Sequence, residues 1–120
     1  MIRKLVLLTV ALLIVGFSTN AFSAAQPGMT STVFNRRFIP KIKPMMPYDQ
    51  IVRMVGSQGA KTGEGKQTTA PIISYRWNGG KKSVLNVRVS SGRLVDATML
   101  APNGHTYYIG KKGEVKDLGD

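Results

Sequence analysis

Between Ile72 and Leu100 apolar residues recur at every second position in three successive runs, IISYRWN, SVLNVRVSS and LVDATML, separated by GGKK and SGR. Alternation of period two matches the pleat of a β-strand, whose successive side chains point to opposite faces. The pattern sets Ile73, Tyr75 and Trp77, then Leu85, Val87 and Val89, then Val95, Ala97 and Met99 on one face. Ile72, Ser74 and Arg76, then Val84, Asn86 and Arg88, then Leu94, Asp96 and Thr98 take the other. Strands joined by short glycine-containing turns form an antiparallel meander with one face buried and one wet.

The buried face needs a cover, and PYDQIVRMVG supplies one. Tyr48, Ile51, Val52 and Val55 fall at i, i+3, i+4 and i+7, the spacing of one helical face. Pro47 suits the first helical position, Asp49 favours the positive end of the helix dipole, and Gly56 ends the helix. The expected fold is therefore α+β and two-layered, with one short helix, or two, packed on a three- to four-stranded antiparallel meander.

On each side of this unit the signals weaken. Residues 26–46 hold Pro27, Pro40 and Pro44 among Arg36, Arg37, Lys41 and Lys43. They read as either a docked basic arm or a short first helix over Ser31–Phe38, with Val33, Phe34 and Phe38 as core contacts. After APNG, His105–Ile109 and Val115–Leu118 flank GKKG as a smaller hairpin or a tail. The divisions are thus 1–25, 26–46, 47–100 and 101–120.

Met1-Ile-Arg-Lys4, an apolar run of 13 residues from Leu5 to Phe17, and small residues around Ala21–Ala25 follow the order of a secretory signal peptide. A helical bilayer span needs roughly 20 apolar residues, so cleavage after Ser23 or Ala25 is expected, and a retained anchor is the competing reading. The destination is the periplasm or the exterior. With no cysteine the chain can carry neither a disulfide nor a lipoprotein's lipid. Loss of Arg3 and Lys4 from 17 basic residues, against 6 acidic ones, leaves a net charge of +9. Behind a leader this charge points to an envelope protein or an anionic envelope polymer rather than nucleic acid, or simply to solubility.

GSQGAKTGEGKQTT (Gly56–Thr69) resembles a phosphate-binding loop only superficially. Ala60 stands where the first glycine belongs and Gln67 where the magnesium-binding hydroxyl belongs. A helix precedes it and Pro71 follows, so it reads as a connection between helix and sheet, with no nucleotide partner. His105 is the single histidine, and the carboxylates are Asp49, Glu64, Asp96, Glu114, Asp117 and Asp120. That set is too sparse for a metal centre or a catalytic triad. No cofactor is expected and the chain reads as non-catalytic. Aromatic and basic residues do interleave, as they do in binding hot spots. Arg76, Trp77, Asn86, Arg88 and Tyr108 are the candidate partner contacts, with Trp77 divided between core and interface.

From Ile42 to Met99, IKPMMPYDQIVRMVG, YRW, LNVRV and GRLVDATM resemble the repeat unit shared by beta-lactamase inhibitory protein-like domains and the SmpA/OmlA outer-membrane assembly proteins. The resemblance covers about half of the chain in short pieces. It implies a two-layer α/β unit, export, and binding through the exposed sheet face. Met45 and Pro47 replace the family's glycine and its capping Ser/Thr, so the helix must start differently. Only one repeat is present, so lactamase inhibition does not follow.

Overall fold

The computed structural model describes residues 26–66 and 70–120. The leader assigned to residues 1–25 lies outside the described residues. The described residues form an α+β domain with one α-helix, α1 (Tyr48–Val55), and six strands. These are β1 (Ala60–Lys66), β2 (Pro71–Asn78), β3 (Val84–Ser90), β4 (Arg93–Leu100), β5 (Thr106–Ile109) and β6 (Val115–Gly119). They form one antiparallel meander in chain order.

The expected sheet of three to four strands was too small at both ends. The segment read as a connection contains β1, which pairs with β2 from Ala60 opposite Arg76 to Lys66 opposite Pro71. The C-terminal segment is a hairpin that continues the sheet beyond β4. Both outer strands contribute through backbone hydrogen bonds more than through apolar side chains, so hydrophobic periodicity understates them.

Within the central hairpin the alternation breaks once. Ser91 and Gly92 turn with positive φ (53° and 76°), the conformation of tight hairpin turns. The turn pairs Ser90 with Arg93 and Val89 with Leu94. A β-bulge then intervenes, so that Arg88 faces Asp96 and Val87 faces Ala97. Leu94 therefore enters the core in place of Val95, reversing the expected assignment of these two residues: Leu94 is buried and Val95 is only half-buried. Without the bulge, Asp96 would sit opposite Val87 on the core face, a costly place for a carboxylate.

The core lies between the sheet and a cover made by α1 together with the arm. Trp77, Leu85, Val87, Ala97 and Met99 from the sheet meet Ile51 and Val55 from α1. Tyr48 stacks on Tyr75 with ring centroids 4.3 Å apart. Pro47 precedes the helix as its cap rather than forming its first residue. Since proline offers no capping hydroxyl, the free Tyr48 N–H is met by the Gly92 carbonyl at 2.9 Å. The helix start is thereby fastened to the β3–β4 turn.

Residues 26–46 take the docked-arm alternative. Ser31–Phe38 contains no α-helix, and regular structure is limited to a 3-10 turn at Ile39–Lys41. Phe34, Phe38, Ile42 and Met46 are buried in the main core. The Thr30 and Thr32 hydroxyls both donate to the Val55 carbonyl (2.9 and 2.8 Å), satisfying the end of α1. The Ser83 hydroxyl accepts the Phe34 N–H at 2.9 Å and donates to the Gly80 carbonyl at 2.7 Å.

Candidate functional site

The cover occupies one side of the sheet, and the opposite side carries the polar phase of every central strand. Arg76 lies opposite Asn86, Asn86 opposite Thr98, and Thr98 opposite Tyr108. One pleat along, Ser74 lies opposite Arg88 and Arg88 opposite Asp96. Since alternate positions share a face, these two rows form one array across β2 to β5. Thr62 from β1 joins it, its hydroxyl donating to the Ser74 carbonyl at 3.3 Å. Between the rows is a groove of about 500 Å³ lined by Thr62, Ser74, Asn86, Arg88, Asp96, Thr98 and Tyr108.

The centre of the groove is Asp96, buried although it belongs to the outer face. Arg88 Nε donates to Oδ1 at 2.7 Å, a second guanidinium nitrogen donates to Oδ2, and the Tyr108 hydroxyl donates to Oδ2 at 2.9 Å. The Arg88 hydrogen bonds hold the Asp96 carboxyl below the usual carboxylate range, against the upward push of burial and with help from Tyr108. The same bonds raise Arg88, and Asp96 raises the Tyr108 phenol. With both carboxylate oxygens engaged, Asp96 is suited to positioning Arg88 and Tyr108 rather than to carrying a proton. The outward aspect is a fixed arginine–tyrosine pair, flanked by Arg76 and by Lys116 opposite Tyr108.

Four of the five residues selected from sequence, Arg76, Asn86, Arg88 and Tyr108, thus share one face. Trp77 does not. It is fully buried, and its indole N–H donates to the Ser57 carbonyl at 2.9 Å. Its phase in β2 aims it at α1, so the interface assignment for Trp77 is withdrawn. Alternation along β4 puts Asp96 on this face with Arg88, but Asp96 is not among the candidate contacts. Counting back from the Ser91-Gly92 turn places it opposite Val87, and the bulge conceals its pairing with Arg88.

His105 lies away from this array, half-exposed, with Nδ1 3.1 Å from both Asp117 carboxylate oxygens. Among the described residues no three of His, Asp and Glu gather in a metal-binding group, and no helix is long and apolar enough to cross a membrane. No protein-family profile, curated protein or solved structure matches this chain.

Proposed function

We propose that the protein is an exported, non-catalytic binding module of the cell envelope that holds a protein partner against the outer face of its sheet. The observation that carries this reading is the Arg88–Asp96–Tyr108 cluster, which fixes two residue types favoured at binding hot spots in an uncovered groove. A fixed arginine loses less freedom on binding than a mobile one. The partner surface this face suits is acidic and includes hydrogen-bond acceptors, since Arg76, Arg88 and Lys116 outnumber the paired Asp96 and the Glu114 that lies near Tyr108 and Lys116. The resemblance to envelope-assembly and inhibitor-type repeats agrees with binding through an exposed sheet.

A photo-crosslinking residue at Asn86 tests the reading in intact cells, with the same residue at Asp49 on α1 as control. The expected result is a discrete adduct from position 86 only, lost when Arg76→Glu is added. Arg76 is the cleaner position for charge reversal, because a glutamate at 88 would also oppose Asp96. Equal crosslinking from both positions, or an adduct indifferent to Arg76→Glu, removes the sheet face as the binding surface.

A further inference from the structure

At the end of the sheet, on the covered side, the arm meets the β2–β3 and β4–β5 connections around a separate hollow of about 380 Å³. Arg36, Arg37 and Lys81 line it without any acidic residue, and Val33, Ala101 and Pro102 supply apolar wall. All three cations are exposed, and none makes a salt bridge among the described residues. Arg36 is shared with a neighbouring hollow that contains Asp117, leaving Arg37 and Lys81 as the undivided charges.

Lys81 is held there against its own preference. Its φ and ψ of 56° and 35° are left-handed, and Lys82 follows at φ 62°, a conformation unfavourable for residues with a Cβ. It is imposed by the docking of Gly79 and Gly80 on the arm. The Gly80 N–H donates to the Thr32 carbonyl at 2.9 Å, and Gly79 lies so close that a Cβ would be 2.7 Å from the Phe34 ring. Backbone strain of this kind persists where surrounding structure enforces it, often beside a ligand. Here it sets a third positive charge beside two arginines, and a bound anion would relieve their mutual repulsion.

The geometry points to a binding site for an amphiphilic organic phosphate, its phosphoryl group held by Arg37, Lys81 and Arg36 and its apolar body laid on Val33, Ala101 and Pro102. Arginine forks match phosphate oxygens in pairs, and lysine adds a compact charge. The volume is at the small end of small-molecule sites. The phosphoryl group can come from a soluble metabolite or from a phospholipid headgroup, and the chemistry at the three cations is the same. This site does not depend on the sheet-face reading.

The probe is phenyl phosphate, titrated into isotopically labelled protein and followed by amide chemical shifts and calorimetry. Saturable shifts centred on Arg37, Lys81 and Asn103 are expected, with binding weakened at least tenfold in the Arg36→Gln/Arg37→Gln double variant. Lys81→Gly is expected to weaken binding while the melting temperature holds or rises, an outcome that a merely structural lysine would not give. Arg76→Glu, on the other face, should leave phenyl phosphate binding unchanged. Vesicles of phosphatidylglycerol in phosphatidylcholine separate the sources: competition with phenyl phosphate assigns a lipid headgroup, and its absence assigns a soluble phosphate. Absence of saturable binding, full retention of it in both variants, or shifts spread evenly over Lys111, Lys112 and Lys116 overturns the site.

Discussion

Arg88 and Asp96 face each other across β3 and β4 because Val95 is displaced from the ladder between them. The extra residue reconciles two registers: counted from the Ser91-Gly92 turn Leu94 falls in the core, and counted from the Val87–Ala97 pair Asp96 falls on the outer face opposite Arg88.

Removing that extra residue should therefore be tolerated. Deletion of Val95 joins Leu94 to Asp96 and restores a regular ladder in which Leu94 still meets Val89 and Asp96 still meets Arg88. Stability should change by no more than about 1–2 kcal/mol, the size of an ordinary point substitution. Deletion of Ala97 throws Asp96 out of phase with Arg88 and should prevent folding. Thermal melts of the two deletions distinguish the cases, and equal damage from both would refute the bulge's proposed role.

Acid should act through Asp96. Its folded pKa lies below the unfolded value, so its contribution to stability is complete above about pH 4 and is lost as pH falls through the folded value. Urea midpoints should thus fall more steeply in the wild type than in Asp96→Asn over that range. Glu114 and Asp117 also titrate low, but they are common to both proteins and cancel in the comparison. Parallel slopes would show that the Arg88 pair contributes nothing.

The arm should count as core. Phe34 is fully buried and meets Phe38 edge-on with centroids 5.0 Å apart. Phe34→Ala should cost about 3–5 kcal/mol, as large aromatic truncations do. Trp77, the single tryptophan, is enclosed in the native state and reports unfolding by a red shift of its emission. A cost below about 1 kcal/mol, less than the transfer value of such a side chain, would mean that the arm is not part of the cooperative unit.

Gly79→Ala tests the same junction without removing anything. The new Cβ would lie 2.4 Å from the Thr32 carbonyl oxygen and 2.7 Å from the Phe34 ring, so the arm must shift. A loss of about 1–3 kcal/mol is expected, the range for overpacked sites. An unchanged melting temperature would contradict the close approach.

Much of this architecture is legible in the sequence where side chains carry the signal. The helix between Pro47 and Gly56 and the alternation in β2 and β3 are of this kind, since each buries a face whose pattern repeats along the chain. Where backbone geometry decides, the pattern is silent. Gly63 and Gly65 read as loop residues yet lie in an edge strand. Phe34 and Phe38 have helical spacing, but proline and the close glycines fix them in irregular chain. In β4 the alternation is interrupted by a bulge that no residue type announces. The outer face followed from the phase of Arg76, Asn86, Arg88 and Tyr108, whereas the Asp96 pairing required the register. The hollow beside Lys81 unites segments far apart in sequence, and only the fold brings them together.

The arm is also the first of the described segments to be synthesised, while Asn78, whose carbonyl accepts the Thr30 N–H, and Ser83, whose hydroxyl accepts the Phe34 N–H, emerge much later. Until they do, two phenylalanines trail without a seat. The core therefore closes late, because the earliest of the described segments needs a berth that lies 49 residues further along the chain.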